Sequence, residues 1–446
     1  MKLGAFFRSR PNPEPPSGVP RAVRHGIALC RALLTERGEV SGGRLASEAL
    51  LAYQGLEGPA RAGFFDLLVQ EFSPDPEGVG QAADAYRKDP SAQNLARLLR
   101  IAEPPRQELF RRLNLAPAGT RVLVDLRRQI LKELDQHPQW APIEADLAHL
   151  LTSWFNRGFL MLRRIDWRTP AIILEKLIEY EAVHEIQGWR DLRRRLEADR
   201  RCYAFFHPAL GDEPIIFVEV ALTRGMSAKV QPLLAPDSPV LNPQSANCAM
   251  FYSITNCQEG LRGVPFGNFL IKKVAEDLSR ELRQIRTFAT VSPVPNFREW
   301  LVGALHAREK HPPSKTLADV VSKLAEPEWW KEKEASELAQ RELSRVCAYY
   351  LLCAKQGKEP LDPVARFHLR NGARLERMNW LGDTSTAGMQ RSAGLMVNYV
   401  YRLADVERNH EQYMKEFRIM ASHQIESLAK QAAFVDGHRP NSPRTS

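Results

Sequence analysis

The feature that most constrains the fold of this chain is a change of sequence pattern near Arg201. Before that point, apolar residues recur three and four positions apart, as they do over residues 23–34 and 121–134. This spacing is typical of amphipathic α-helices. After it, residues 215–222 are dense in β-branched and aromatic side chains, which is typical of a buried strand. The sequence therefore predicts a helical part followed by a part that contains a sheet.

The same change of pattern sets the predicted domain boundaries. Residues 1–195 contain no segment with the pattern of a strand, so we expect them to be almost wholly helical. We expect this region to support and assemble the protein, because none of its motifs indicates reactive chemistry. The predicted organisation is a flexible N-terminus at residues 1–20, a helical domain at residues 21–198, an α/β domain at residues 199–436 and a disordered tail at residues 437–446.

The charge of the chain restricts its partners only slightly. The 446 residues include 62 Lys and Arg against 53 Asp and Glu, which gives a formal charge of +9. This excess suits an anionic ligand such as a nucleotide, and it is equally consistent with ordinary surface charge. Nucleic-acid binding would need basic residues gathered on one face with stacking aromatic residues. The arginines at residues 193–195 lie beside acidic residues in a helical pattern, so they indicate a solvated helix face.

The cysteines and the hydropathy pattern exclude several classes of protein. The six cysteines form no Cys-x-x-Cys pair and are too few for a disulfide scaffold, so they indicate thiols in a reducing compartment. No apolar run approaches the ~20 residues that a membrane-spanning helix needs. The N-terminus lacks the apolar core of a secretory signal, and the chain does not end in a peroxisomal tripeptide. We therefore expect a cytoplasmic protein.

An α/β unit is predicted in the middle of the second domain. Residues 249–254 and 287–291 have the composition of strands. Between them, residues 268–285 carry an apolar stripe at helical spacing, with Asn268 as the expected N-cap. The order strand, loop, helix, strand predicts an α/β unit at this point.

A glycine-rich loop joins the first of these strands to the helix. It runs from Gln258 to Asn268 and contains Gly260, Gly263 and Gly267. Glycines allow a ligand to approach the backbone closely, and a helix N-terminus offers free N–H groups to phosphate. A pyrophosphate could bind here with help from Arg262, although the same sequence would also make an ordinary connection. The spacing matches neither a P-loop nor a dinucleotide fingerprint.

Ser292 follows the next predicted strand directly. Ligands of open α/β sheets gather beyond the carboxyl ends of the strands, so this is a position where chemistry is often found. Pro293 and Pro295 end the strand and stiffen the segment that follows. A serine that merely ends a strand in a turn would have the same neighbours. No Gly-x-Ser-x-Gly elbow is present, so a serine hydrolase is not indicated.

Two further segments contain possible site residues. His368 lies in the sequence Phe-His-Leu-Arg-Asn-Gly, a mixture unusual for a plain core helix, although a single histidine is commonly structural. Tyr399 and Tyr401 place two phenols close together, just before a long helix predicted over residues 404–434. Aromatic packing between domains would explain the phenols equally well.

Taken together, these segments resemble the malonyl-CoA decarboxylase family. The resemblance runs from about Trp154 to about Tyr401 and rests on several motifs in the same order. The matching segments are Trp154-Phe155, Gly158-Phe159-Leu160, Glu181-Ala182-Val183-His184, Cys202-Tyr203, Phe251-Tyr252-Ser253-Ile254, Gly260 to Lys273, Ser292-Pro293, Phe367-His368-Leu369 and Asn398-Tyr399.

The resemblance implies a fold and a reaction. It implies an α+β multidomain protein, in which an N-terminal all-helical oligomerisation domain precedes a catalytic domain of the acyl-CoA N-acetyltransferase (GNAT) type. It implies conversion of malonyl-CoA to acetyl-CoA and CO2 by a homo-oligomer, with no metal, biotin or other cofactor. Binding of nucleic acid or of a membrane is not expected.

The resemblance also implies roles for particular residues. The catalytic pair of the family falls on Ser292 and His368, and Ser253 and Tyr401 match residues that line the pocket. The loop that holds CoA and substrate falls on Arg262, Gly263, Val264, Pro265, Phe266, Gly267 and Asn268. An acyl-CoA-dependent N-acetyltransferase and a non-catalytic CoA-binding protein are the alternatives on the same fold.

The expected reaction passes through an enolate. Loss of CO2 from malonyl-CoA leaves an acetyl-CoA enolate, whose oxygen needs hydrogen-bond donors and whose carbon needs a proton. We expect His368 to donate the proton or to donate a hydrogen bond to the oxyanion. We expect Ser292 to hold the malonyl carboxylate or to relay the proton, and the sequence leaves this division of roles open.

Overall fold

The computed structural model describes residues 18–264, 270–306 and 315–432. The chain divides into two compact units, of which the first contains the residues up to Met161 together with residues 206–215 and 258–264. The second unit contains the remaining described residues. The predicted boundary at residue 199 stays a prediction. The predicted tail and most of the predicted flexible N-terminus lie outside the described residues.

The first unit is helical because its segments carry apolar residues at helical spacing. In the first helix, Val23, Ile27, Cys30 and Leu34 lie on one buried face. Helix ends are marked by side chains as well: Asp75 accepts a hydrogen bond from the backbone of Gly78. The helices are α1 Arg21–Thr35, α2 Glu39–Gln54, α3 Gly58–Glu71, α4 Pro76–Lys88, α5 Ala92–Ala102, α6 Pro105–Leu113, α7 Gly119–Glu133 and α8 Ala141–Trp154.

The second unit is built on a sheet that has eight strands among the described residues, in the order β1-β2-β3-β4-β5-β10-β6, with β9 paired to β10. Strands β7 and β8 form a separate antiparallel pair. The strands are β1 Met161–Ile165, β2 Arg200–Phe206, β3 Pro214–Thr223, β4 Cys248–Asn256, β5 Thr287–Thr290, β6 Ser292–Pro293, β7 Lys355–Gln356, β8 Glu359–Pro360, β9 Arg374–Asn379 and β10 Met396–Val400.

Helices complete the second unit. They are α9 Ala171–Tyr180, α10 Trp189–Arg195, α11 Gln231–Leu234, α12 Leu270–Glu281, α13 Phe297–His306, α14 Lys315–Lys323, α15 Lys333–Cys353, α16 Pro363–Arg370, α17 Thr386–Ser392, α18 Val406–Glu416 and α19 His423–Gln431. The α+β class predicted from the sequence is therefore confirmed. Within the described ranges, no helix combines the length and the apolar composition that a membrane crossing requires.

The predicted α/β unit is present. Strands β4 and β5 are parallel neighbours, with Met250 opposite Ala289, and α12 lies between them in the chain. The buried side of α12 carries Leu270, Val274 and Leu278, as the apolar stripe predicts. Its expected N-cap, Asn268, lies outside the described residues. The glycine-rich loop thus follows a central strand and precedes this helix.

The prediction that residues 1–195 are almost wholly helical is wrong at β1. The sequence Met-Leu-Arg-Arg-Ile alternates little and carries two charges, so it lacks the pattern of a buried strand. It occupies the end of the strand order among the described residues, and such an edge position tolerates polar side chains. An edge strand of this kind gives a weak signal in the sequence.

The last part of the chain also differs from its prediction. Asn398 and Tyr399 lie on strand β10, and the single helix predicted over residues 404–434 is two helices, α18 and α19. Phe417 ends α18 with a φ of 55°, in the left-handed region. The next residues pair with β9, where Leu375 donates to the Met420 carbonyl at 2.9 Å and accepts from the Ser422 amide at 2.9 Å. These long-range hydrogen bonds outweigh the local helical pattern.

Gly372 lies just after α16 and packs closely against the start of α18. Its φ is 79°, and a Cβ at this position would lie 2.1 Å from the Val406 carbonyl oxygen. Gly372→Ala should lower the free energy of unfolding by well over the ~1–2 kcal/mol that a left-handed residue costs. Gly357→Ala is the matched control, because Gly357 has a φ of 62° and open space around its Cα. Urea unfolding measures both variants, and equal losses would contradict the close packing.

Candidate active site

Ser292 lies just beyond the carboxyl end of β5. The short strand β6 pairs antiparallel with β10, and this pairing places Ser292 opposite Val397. Pro293 follows it and has no N–H group to donate to the ladder, so strand β6 ends at this residue. The serine is buried, with 5% of its surface exposed. The predicted position at a strand end is therefore confirmed, and it is a buried position.

Helix α16 presents His368 to this serine. Asp362 caps the helix by accepting from the Ala365 amide at 2.7 Å, and Pro363 occupies the first turn. His368 lies in the last turn with 3% of its surface exposed. Its Nε2 is 3.0 Å from the Ser292 Oγ. The structure thus joins two residues that were predicted as a pair only through the family resemblance.

Tyr401 contacts the other side of the imidazole. It follows β10, and its amide donates to the Phe288 carbonyl at 2.8 Å. Its hydroxyl lies 2.7 Å from His368 Nδ1. The ring of Tyr399 stacks on the imidazole, with 4.4 Å between ring centroids and 25° between planes. Both ring nitrogens and one face of His368 are therefore occupied by protein groups.

Thr290 is part of the site, although the sequence analysis gave it no role. Its Oγ1 accepts a hydrogen bond from Ser292 Oγ at 2.8 Å and another from the Tyr399 amide at 3.1 Å. Asn398 donates to the Thr290 carbonyl at 2.6 Å. A signal existed in the sequence, because residues two apart on an extended chain face the same side. Thr290 stands two positions before Ser292.

Burial sets the protonation states of the site. It lowers the pKa of His368 from 6.5 to about 3, so the imidazole is neutral near pH 7. Burial also raises the pKa of Tyr401 well above its ordinary value, and the phenol keeps its proton. The arrangement is thus a run of neutral hydrogen-bond donors and acceptors, suited to stabilising a charge that develops during a reaction.

Ser253 lies in a different hydrogen-bond cluster of the second unit. Its Oγ is 2.7 Å from both carboxylate oxygens of Glu181. That carboxylate also accepts from the amides of Val183 and His184 at 2.8 and 2.9 Å and from Thr255 Oγ1 at 3.1 Å. The hydroxyl of Ser253 is therefore engaged by protein, and its role in lining the pocket stays a prediction.

The described part of the glycine-rich loop, residues 258–264, belongs to the first unit. Its Gly260 carbonyl accepts from Arg127 at 2.7 Å, and a Cβ on Gly260 would lie 1.9 Å from the Val124 carbonyl oxygen. Gly263 has a φ of 81°, which favours glycine. Arg262 beside it is exposed. The predicted loop residues Pro265, Phe266, Gly267 and Asn268 lie outside the described residues, and all assignments in the loop stay predictions.

A metal centre is not evident in the part of the chain that the structure describes. Within residues 18–264, 270–306 and 315–432, no three His, Cys, Asp or Glu side chains are grouped so that they could hold an ion. The imidazole of His368 has both nitrogens engaged by Ser292 and Tyr401.

The neutral state of His368 has a consequence for stability. The unfolded chain takes up a proton on this residue below pH 6.5, whereas the folded protein does so only near pH 3. The contribution of the neutral His368 to the free energy of unfolding is therefore fully present above pH 6.5. It is lost as the pH falls toward 3, by up to about 1.4 kcal/mol per pH unit.

His368→Asn should remove this contribution, so its free energy of unfolding should fall less steeply with acidification. Urea unfolding at several values between pH 7.5 and 5 measures the slope, and the exposed His423→Asn is the control. Equal slopes in the wild type and His368→Asn would show that the folded protein protonates this imidazole readily.

Comparisons with known proteins agree with one another. The family model of the malonyl-CoA decarboxylase C-terminal domain matches residues 158–437, and that of the N-terminal domain matches residues 72–155. The mitochondrial malonyl-CoA decarboxylase of Anser anser anser is 36% identical over 422 residues, which cover 87% of this chain and 84% of the relative. That of Mus musculus is 36% identical over 413 residues, covering 85% and 84%.

Solved structures give the same result. The crystal structure of malonyl-CoA decarboxylase from Rhodopseudomonas palustris is 47% identical with a TM-score of 0.86, covering 92% of this chain and 100% of the other. That from Agrobacterium vitis is 46% identical with a TM-score of 0.85, covering 91% and 99%. The relatives share both the helical and the sheet-containing parts, so the family resemblance seen in the sequence is confirmed. The chain belongs to the malonyl-CoA decarboxylase family.

Proposed function

We propose that this carboxy-lyase converts malonyl-CoA to acetyl-CoA and CO2 at the pair formed by Ser292 and His368. The observation that carries the proposal is the 3.0 Å contact between Ser292 Oγ and His368 Nε2, in a site where both residues are buried. Tyr401 extends the pair on the other side of the imidazole. The family membership of the chain supplies the reaction to which this geometry is applied.

Decarboxylation of malonyl-CoA requires hydrogen-bond donors that stabilise the enolate. The bond between the malonyl carboxylate and carbon 2 breaks, CO2 leaves, and the electron pair moves onto the enolate of acetyl-CoA. Neutral donors fixed in a dry site stabilise the enolate oxygen without reorganising during the reaction. Carbon 2 then takes up a proton, which water replaces afterwards. We assign both tasks, stabilisation and protonation, to the Ser292–His368 pair.

The CoA part of the substrate is assigned to the glycine-rich loop. Arg262 offers an exposed cation to phosphate, and Gly263 keeps the backbone open to a ligand at its φ of 81°. The bond from Arg127 to the Gly260 carbonyl holds the start of the loop against α7. Pro265, Phe266, Gly267 and Asn268 are assigned to the same task on the family resemblance alone, and Val264 joins them.

Mutation of the pair tests the proposal. Removing one oxyanion donor typically lowers turnover by about 100- to 1000-fold. Ser292→Ala and His368→Asn should each lose at least that much activity while the protein stays folded. The assay follows acetyl-CoA formation from malonyl-CoA, with a chelator present and with no amine acceptor, ATP or biotin added.

Two controls accompany this experiment. Ser392→Ala removes another buried serine hydroxyl, which donates to the Leu395 carbonyl at 2.8 Å, and it should leave turnover close to wild type. Circular dichroism establishes that each variant is folded. Normal turnover in Ser292→Ala or His368→Asn would refute the assignment, and turnover that requires an amine acceptor would indicate a transferase instead.

We also propose that copies of the chain associate through the helical unit. Leu99 on α5 and Leu51 on α2 are 64% and 67% exposed, and Val40 is 91% exposed. Helix α5 has no buried residue, and Leu95 lies one turn before Leu99 on the same face. Exposed apolar residues on several helices of one unit are typical of an interface. A second copy of the chain is the proposed partner.

A negative charge on the face of α5 that carries Leu95 and Leu99 should prevent association. Light scattering on the wild type should give a multiple of the chain mass of 50.6 kDa. The double variant Leu95→Glu, Leu99→Glu should shift toward a single chain, because a carboxylate is costly to bury in an apolar interface. Val240→Glu places the same charge at an exposed apolar position of the other unit and should have no effect. An unchanged mass in the double variant would exclude this face.

The expected cytoplasmic location is also proposed. Burial raises the pKa of the Cys202 and Cys347 thiols well above their ordinary value, so both thiols keep their protons. Buried, protonated thiols suit a reducing compartment. The relatives from Anser anser anser and Mus musculus are named as mitochondrial, so cell fractionation against markers of both compartments distinguishes the two locations.

A further inference from the structure

We propose that Thr290 is a positioning residue that fixes the tautomer of His368, so that the imidazole proton stays on Nε2 and faces Ser292. Thr290 does not contact the imidazole itself in this arrangement; it acts through the hydroxyl of Ser292. The consequence for turnover rests on the proposed decarboxylase function, whereas the tautomer itself does not.

Thr290 accepts the proton of the Ser292 hydroxyl. Its Oγ1 accepts from the Tyr399 amide at 3.1 Å, and the geometry of its 2.8 Å contact with Ser292 has the serine as donor. A serine hydroxyl has one proton to give and otherwise accepts. Since that proton goes to Thr290, the 3.0 Å contact between Ser292 Oγ and His368 Nε2 needs its proton from the imidazole.

Tyr401 favours the same tautomer from the other side of the imidazole. Its buried hydroxyl lies 2.7 Å from His368 Nδ1, and within the described residues no other hydrogen-bond partner of this hydroxyl is present. The phenol donates its proton to a bare Nδ1 in the proposed tautomer. In the opposite tautomer, Nδ1 would donate, and the phenol proton would lose the acceptor that His368 gives it among the described residues.

The neutral imidazole of His368 carries one ring proton. Its neighbours hinder the ring flip that would exchange the positions of Nδ1 and Nε2. Burial keeps His368 neutral, since its pKa is lowered to about 3. A neutral imidazole carries a proton on one nitrogen and a lone pair on the other. Tyr399 stacks on the ring at 4.4 Å and Phe367 meets it edge-on at 5.1 Å, so a flip of the ring is hindered.

All the hydrogen bonds of the site then run in one direction. Tyr401 donates to His368, His368 donates to Ser292, and Ser292 donates to Thr290. A substrate oxygen that replaces Ser292 Oγ at Nε2 would meet an N–H group and not a lone pair. A neutral imidazole N–H can polarise a carbonyl and stabilise the charge that develops on its oxygen. Thr290 therefore keeps the donor on the side of the ring where the pair acts.

Nuclear magnetic resonance of the full-length protein, labelled with ¹⁵N-histidine, tests the tautomer directly. Protonated and bare ring nitrogens differ in ¹⁵N chemical shift, and the His368 signals are assigned by their loss in His368→Asn. We expect a protonated Nε2 and a bare Nδ1 in the wild type from pH 8 to pH 5. A protonated Nδ1, or a doubly protonated ring, would overturn the proposal.

Variants of Thr290 test whether this residue determines the tautomer of His368. Thr290→Val removes the acceptor for the Ser292 proton, so this proton should turn toward Nε2 and a population with protonated Nδ1 should appear. Thr290→Ser restores the acceptor and should restore the wild-type spectrum. Thr120→Val removes another buried threonine hydroxyl, 2.6 Å from Asn114 Oδ1, and should leave the His368 signals unchanged. A wild-type spectrum in Thr290→Val would refute the role of Thr290.

Kinetics separate this inference from the proposed function. Thr290→Val should lower kcat for malonyl-CoA by about 10-fold or more with little change in KM, and Thr290→Ser should recover most of it. If Thr290→Val lost kcat but Thr290→Ser did not recover it, the positioning role would fail. If the wild type showed the expected tautomer but no decarboxylation, the proposed function would fail and the tautomer assignment would stand.

Discussion

The antiparallel pairing of β10 with its neighbours is the constraint on which the site depends. Strand β10 pairs with β5, β6 and β9, so it positions groups from three parts of the chain. The Tyr399 amide bonds to Thr290, a residue 109 positions away in sequence. Asn398 adds a second contact, to the Thr290 carbonyl. Because a shift of one residue would turn every side chain to the other face, this register decides whether Tyr401 reaches the imidazole.

Burial makes the hydrogen bonds that this register allows energetically important. A polar group removed from water is destabilising unless it finds a hydrogen-bond partner, and this cost favours hydrogen bonds among the buried polar groups of the site. Ser292, His368 and Thr290 meet this requirement by bonding to one another and to β10. The same rule explains Glu181, whose carboxylate is bonded by Ser253, Thr255 and two amides. The polar groups of both clusters are ordered by the cost of leaving them unpaired.

The sequence predicts the parts of the fold whose signals are local. The buried strand at residues 215–222 depends on local composition and the stripe of α12 on local periodicity, and both are present. The contact between Ser292 and His368 joins residues 76 apart, so only the family resemblance could pair them. The role of Thr290 depends on which hydroxyl donates, and the sequence carries no signal for the direction of a hydrogen bond. Edge strand β1 and the break at Phe417 were missed because long-range pairing decides them.

A neutral and buried site is well matched to decarboxylation. A cationic imidazole would attract the malonyl carboxylate and stabilise the charge that the reaction has to remove. Burial lowers the pKa of His368 to about 3, so the ring offers a donor without a full positive charge. Such a donor interacts weakly with the ground state and more strongly with the enolate oxygen as its charge develops, and only this difference accelerates the reaction. If His368 acts as proposed, the loss of its charge on folding helps the site to favour the transition state.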